Sequence, residues 1–304
     1  MTLRQFARLA LGFVVAVAVA APAAAQPIER SLWVSVVDQS GAPVPGLTTT
    51  DFIVREDNVS REVLRVVPAE EPMQIALLVD TSQAVRNDVS NIRNALPAFL
   101  TALTAPNAAG RRNEVALVGF GDRPTILTES TSSTEILQKG VGKIFALPSA
   151  GPYLLDAIEE SVKGFKKREA ARPVIVAIAM ETREYSYRTY EQVVTELKDG
   201  EVPLYALMIG RPYDSLRDED RGRQIVLDRG TRDTGGERQQ LLSSMALEGR
   251  LTKLADLLTH MYRVTYAHPD SLIPPEKVTV NAKNPELTAR GTLVKGQDTS
   301  KRKP

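Results

Sequence analysis

The sequence predicts an α/β protein: a doubly wound, mostly parallel sheet flanked by helices, with a small β subdomain built from the N- and C-terminal flanking segments. Three observations carry this. The runs "IALLVD", "PVIVAIAM" and "VPLYALMIG" are almost continuously apolar, as strands covered on both faces must be. Between them lie segments whose apolar residues recur every three or four positions, the spacing of helices laid against such a sheet. Period-two alternation is found towards the two ends of the chain instead.

The first 25 residues stand apart. Arg4 and Arg8 give a basic start, Leu9 to Ala21 is a short apolar run, and "APAAAQP" places small residues at Ala23 and Ala25. This is the pattern of a secretory signal peptide, with cleavage expected between Ala25 and Gln26. The run is short for a bilayer span, and no later segment is long and apolar enough for one. The 304 residues contain no cysteine, which excludes a disulfide framework, thiol chemistry and a lipid-bearing cysteine at the cleavage site. The mature chain is therefore expected to be exported, periplasmic or secreted, in a bacterium, with no membrane span after cleavage. Removing Arg4 and Arg8 leaves 36 basic against 37 acidic residues, a net charge of −1. That balance gives no support to a nucleic-acid binder, which needs a concentrated basic face.

Residues 26–71 form the N-terminal β segment. Trp33, Ser35 and Val37 alternate with Val34, Val36 and Asp38, "DQSGAPVPG" is a turn cluster, and "DFIVRED" is a second strand. "EDNVS" reads as a tight hairpin in which Asn58 takes positive φ, so Asn58-Val59-Ser60 is turn chemistry rather than a glycosylation acceptor. A segment of this size cannot bury a core alone and must pack on something else.

Residues 72–267 carry the alternation of strands and helices. After "IALLVD", the residues Val85, Val89, Ile92, Leu96, Phe99 and Leu103 mark one face of a long helix, with Pro97 expected to kink or restart it. "NEVALVGFGD" and "PTILTE" read as two strands joined by a Gly-Asp turn, and "STEILQKGVGKI" as a short helix behind a Ser/Thr cap. Leu154, Leu155, Ile158, Val162 and Phe165 define the next helix. "YEQVVTELKDG" is a helix ended by Gly200. The mixed-charge stretch "RPYDSLRDEDRGRQ" reads as a solvated surface loop. "IVLDRGTRDTGGERQQLL" gives a helix, a Gly-Gly turn and a short strand. Leu251, Leu254, Ala255, Leu258 and Met261 form the last helical face, and "YRVTYA" closes the region. Residues 268–292 return to strand period and are expected to pack with the N-terminal segment. Residues 293–304 read as a disordered, solvated tail.

Ligands of such sheets bind at the loops beyond the strands' carboxyl ends. There the set "IALLVDTSQAV", "VALVGFGD", "GPYLLDAI", "PVIVAIAMETRE", "VPLYALMIG" and "TGGERQQLLSS" occurs in the order found in von Willebrand factor type A domains. The chain resembles that family over roughly residues 32–292, and its flanks resemble those of exported members common in acidobacteria. The resemblance implies a metal-ion-dependent adhesion site: Asp-x-Ser-x-Ser, plus a threonine and an aspartate from two other loops. Carried over, Asp80 and Ser82 match the first two ligands. Ala84 stands in place of the second serine, Pro152 in place of the threonine, and Met180 in place of the aspartate, with Glu181 available after a one-residue slip. Mg²⁺ wants about six hard oxygens, and a methyl group, a proline ring and a thioether offer none. The site is therefore expected to be degenerate, with Asp80 accepting loop amides and Ser82 capping the following helix. Asp156, which matches a family aspartate at a helix start, is expected to be structural.

Other constellations carry less. His260 and His268 are the only histidines and lack metal-ligand spacing, no GxSxG elbow is present, and "GFGD" and "TGG" lack the Lys-Ser/Thr of a phosphate loop. The leading expectation is an exported, non-enzymatic protein–protein interaction module, metal-independent, with no cofactor and a protein partner. Its alternative is a Mg- or Mn-dependent adhesion module using Asp80, Ser82 and Glu181. A metal-assisted hydrolase built on Asp80 ranks third, because no general base accompanies the acid.

Overall fold

The computed structural model describes residues 28–212, 217–269 and 275–295. The leader expected over residues 1–25 and residues 296–304 of the expected tail lie outside the described residues, as does the 213–216 part of the polar stretch; the start of that tail is ordered instead, with Leu293 ending a strand and Val294 N donating to Ser31 O at 2.9 Å. The chain opens with β1 (Ile28–Val37), β2 (Phe52–Glu56), β3 (Val59–Arg61) and β4 (Val63–Pro68). The alternating region follows: β5 (Gln74–Val79), α1 (Val89–Thr104), β6 (Glu114–Gly119), β7 (Thr125–Thr131), α2 (Thr134–Val141) and α3 (Leu154–Lys167). It continues with β8 (Pro173–Met180), α4 (Tyr190–Asp199), β9 (Leu204–Ile209), α5 (Asp218–Ile225), the short α6 (Thr231–Asp233) and β10 (Glu237–Leu241). α7 (Leu247–Thr259), β11 (Tyr262–His268), β12 (Val278–Ala282) and β13 (Thr288–Leu293) complete the described chain.

Six strands make the main sheet, in the order β10-β9-β8-β5-β6-β7. All neighbours are parallel except β6 and β7, which form the antiparallel pair at one edge. The apolar runs lie in its centre because both faces are covered. On one face Ile75, Leu77 and Val176 pack with Leu96, Phe99, Leu251 and Leu258 of α1 and α7. On the other, Leu78, Ile175 and Ala177 pack with Ile158, Val162, Val193 and Leu197 of α3 and α4. The α1 helix runs unbroken through Pro97, so the expected restart does not occur.

The flanks form two smaller sheets, β13-β1-β11-β4 and β12-β2-β3. The strand expected from "YRVTYA" exists as β11, but it lies here, antiparallel to β1 and β4. Asp57 and Asn58, with φ of 46° and 68°, make the β2–β3 hairpin turn, the left-handed pair a two-residue loop requires. Leu32, Val34 and Val36 of β1 pack between these small sheets with Phe52, Val54, Val264, Tyr266 and Val280. From its opposite face, Trp33 and Val37 enter the α1/α7 core. β1 is thus buried on both faces and fastens the flank to the main sheet. A buried carboxylate holds the small sheets together: Glu56 accepts from Tyr266 Oη at 2.9 Å and Arg61 Nε at 2.8 Å, with His268 Nδ1 at 2.7 Å.

The polar stretch departs from expectation. Residues 218–225 are the α5 helix, and within it Asp220 and Arg223 are buried, 3% and 1% exposed. A solvated loop this is not. What a charged run hides from water is the side chain that finds enough oxygen partners to replace it.

Candidate functional site

β5 is flanked by β8 on one side and β6 on the other, so the connections diverge at its carboxyl end and open the crevice where such sheets take ligands. Asp80 stands there, fully buried, its amide bonded to Ile178 O at 2.9 Å. Both carboxylate oxygens accept main-chain amides: Oδ1 from Ser82 at 2.8 Å and Oδ2 from Met180 at 3.1 Å. Burial pushes the Asp80 carboxyl up, against hydrogen bonds from Ser82 and Met180 and the nearby Arg223 charge. Ser82 is also fully buried. Its Oγ accepts from Ala84 N at 3.3 Å and caps the short turn Gln83–Val85.

Neighbouring loops are sewn to this one. Thr81 Oγ1 accepts from Gly121 N at 2.8 Å, and Thr81 O from Leu147 N at 2.9 Å. Gly121 is required by that approach, since a Cβ there would fall 2.4 Å from Thr81 O. That explains the second glycine of "GFGD" without any phosphate. Pro152 contributes its carbonyl to Tyr185 N at 3.0 Å, and the Met180 side chain packs against the α1/α7 core. Asp156 sits in the first turn of α3 and accepts from Tyr187 N and Arg188 N at 3.4 and 3.2 Å. Burial pushes its carboxyl up, and these two amides oppose the rise. His260 Nδ1 lies 2.8 Å from Asp256 O at the end of α7, and His268 belongs to the Glu56 cluster.

The structure brings Asp80 and Ser82 together but gives Glu181 other partners. Its Oε1 pairs with Arg238 at 3.0 Å, and its Oε2 faces Gln224 Nε2 at 3.5 Å and Arg223 Nη2 at 3.9 Å. As a cradle for Mg²⁺ the Asp80 loop does not fit. Asp80 is already committed to two amides, Ser82 Oγ is used as a cap and Thr81 Oγ1 is taken by Gly121 N, and all three side chains are buried away from a partner's carboxylate. Among the described residues no group of three or more His, Cys, Asp or Glu side chains could hold a metal.

Sequence reasoning missed Arg223. Its guanidinium donates through Nη2 to Met180 O at 2.5 Å and through Nη1 to Thr182 O. Its Nε lies 3.7 Å from Glu184 Oε2, and neither atom has a hydrogen bond among the described residues. Glu184, fully buried, accepts through Oε1 from Leu154 N at 3.0 Å and Ser186 Oγ at 2.7 Å, capping α3, while its own amide donates to Asp220 Oδ1 at 2.7 Å. Burial pushes the Glu184 carboxyl up to about 7 despite the Arg223 charge. The signal that could have revealed this cluster is Asp220 and Arg223 three apart, a spacing that puts both on one helical face.

Large apolar side chains stand exposed on the loops near the buried site. Phe145 and Leu147 in the loop before α3, Tyr185 and Tyr187 after β8, and Leu242 and Met245 after β10 are all exposed, Tyr187 to 84% and Met245 to 82%. Tyr153 stacks loosely against Tyr185 and Tyr187, with ring centroids 6.5 and 5.9 Å away. These residues crown the carboxyl edge of the main sheet.

Residues 75–179 match the family model of the von Willebrand factor type A domain. No curated protein matches the chain. Among solved structures, proximal thread matrix protein 1 from the mussel byssus is similar with a TM-score of 0.52 at 16% identity, over 67% of this chain and 50% of that one. The chain thus spans about half the length of the mussel protein, and the likeness is one of fold. The same mussel protein with a zinc-occupied MIDAS motif aligns with a TM-score of 0.49 at 13% identity, over 70% and 50% of the two chains. A von Willebrand factor type A protein from Catenulispora acidiphila aligns with a TM-score of 0.48 at 10% identity, over 88% and 72%.

Proposed function

We propose, from the match of residues 75–179 to the von Willebrand factor type A family model, that the protein is an exported, non-enzymatic interaction module that binds a protein partner without a divalent cation at Asp80. One observation carries the proposal: Asp80 and Ser82 are fully buried and engaged by main-chain amides, so the loop acts as scaffold. With no cation for a partner's carboxylate to reach, contact falls to the rim. Six exposed apolar side chains on those loops, Phe145, Leu147, Tyr185, Tyr187, Leu242 and Met245, are candidate contact residues, since exposed aromatic and apolar side chains are common interface anchors. Export is supported by the basic, apolar and small-residue order of residues 1–25. Among the described residues no helix is long and apolar enough to cross a membrane. Both Asp80 oxygens bind main-chain amides, which speaks against a role for this acid in hydrolysis.

The test is crosslinking capture from a cell-envelope extract with the mature chain as bait, in Mg²⁺ and in chelator. The same partner is expected under both conditions, and from Asp80→Asn bait as well. Bait carrying Phe145→Ser and Tyr187→Ser together is expected to lose it. Capture that needs Mg²⁺ and disappears with chelator overturns the proposal.

A further inference from the structure

We propose that Arg223 is a resident cation: its guanidinium fills an oxygen-lined cage next to the Asp80 loop, and that cage is a hard-cation site masked by the chain itself. The inference rests on the metal-independent reading above and adds what takes the cation's place. Four oxygens face the guanidinium. Met180 O and Thr182 O accept from it directly, and Glu184 Oε2 and Glu181 Oε2 lie 3.7 and 3.9 Å away. Two carboxylate and two main-chain carbonyl oxygens are the donor types that Ca²⁺ and Mn²⁺ take, and that Mg²⁺ accepts with added waters. The two glutamate side chains of this set have no exposed area, and while Glu181 also pairs with Arg238, Glu184 Oε2 has Arg223 as its facing cation, so the pair of buried carboxylates requires positive charge beside it.

Only an arginine could serve as this substitute. Met180 and Thr182 are two residues apart on one strand end, and the planar fork reaches both carbonyls at once, which a lysine ammonium cannot do with fixed geometry. The cage also connects to the degenerate site through one peptide group on each side of Met180. Met180 N donates to Asp80 Oδ2, and Met180 O accepts from Arg223. Through Glu184, the same charge reaches the N-terminus of α3 and the loop bearing Tyr185 and Tyr187. Arg223 therefore fixes the loop that presents the tyrosines.

The experiment is thermal unfolding of the full mature chain in millimolar Ca²⁺ or Mn²⁺ against an ionic-strength-matched sodium control. Wild type is expected to be indifferent to both ions. Arg223→Ala should melt lower in sodium and recover by about 3 °C or more in at least one divalent ion, the shift expected at tenfold excess over the dissociation constant. Arg223→Ala combined with Glu184→Gln should lose that recovery. Arg223→Met, which keeps the apolar stem, is the second variant should Arg223→Ala not fold in sodium. Folding of either variant only with a divalent ion supports the proposal. A folded variant that gains nothing from either ion overturns it, as does failure of both variants to fold with the ions present. A shift in wild type that Asp80→Ala abolishes overturns the metal-independent reading itself, and is distinguishable because Arg223 is intact in that measurement.

Discussion

Replacing Tyr266 with phenylalanine deletes one oxygen from the centre of the flanking β subdomain. The side chain is fully buried, and its hydroxyl donates to Glu56 Oε1 at 2.9 Å. Burial, with the Glu56 charge beside it, pushes the phenol's pKa well up, so it is a donor at every working pH. A hydrogen bond to a charged acceptor is worth about 1.5–3 kcal/mol, and Glu56 keeps Arg61 and His268, so the loss should be about 2 kcal/mol. For a chain this size that lowers the thermal midpoint by about 4–8 °C. Tyr262→Phe is the control, because its hydroxyl has only neutral partners, donating to Val44 O at 2.7 Å and accepting from Leu47 N at 3.3 Å, and should cost about 1 kcal/mol. The assay is thermal unfolding followed both by far-ultraviolet circular dichroism and by fluorescence of Trp33, the sole tryptophan, which packs in the main core from β1. Both probes should shift together. A double-mutant cycle with Glu56→Gln should show a coupling of about 1 kcal/mol or more. Strict additivity, or a Tyr266→Phe midpoint equal to wild type, refutes the assignment of Glu56 as the flank's organising acid.

Three further outcomes follow from geometry already described. Gly121→Ala places a Cβ 2.4 Å from Thr81 O, a main-chain atom that cannot step aside, and should cost about 3 kcal/mol in denaturant unfolding; a neutral result would show that the Asp80 loop is not held at this distance. Glu184 has a folded pKa raised from 4.5 to about 7, so its protonated form favours the native state; its contribution is complete below 4.5 and lost as pH rises to about 7. The stability difference between wild type and Glu184→Gln should therefore change across that window, and a flat difference contradicts the assignment. Deleting residues 26–69 removes both partners of β11, so the truncated chain should lose cooperative melting; an unchanged transition would mean that the main sheet stands alone.

Much of the fold was legible because its signals are local. A strand covered on both faces must be apolar throughout, so β5, β8 and β9 announced themselves, and the positions of Asp80 and Ser82 followed from the strand that carries them. The partners of Glu181 were not legible. Side chains alternate across a strand, so moving one residue past Met180 exchanges the α1/α7 core for the Arg223 and Arg238 cluster. Nor was the burial of α5, where acidic and basic residues fill the run "DEDRGRQI". Its interior side chain is an arginine that donates to carbonyl oxygens 41 and 43 positions away, and carbonyls leave no mark in a sequence.

The placing of β1 sets a timetable for folding. The earliest strand of the flank lies between two of the latest, β11 and β13, and its Ser31 meets Thr265 across 234 positions of chain. The six strands of the main sheet are all made before β11 emerges from the ribosome, whereas β1 has no sheet neighbour until then. Ring closure over that distance is slow compared with helix or hairpin formation. The first strand of the nascent flank therefore waits for both its neighbours until nearly the whole chain has been synthesised.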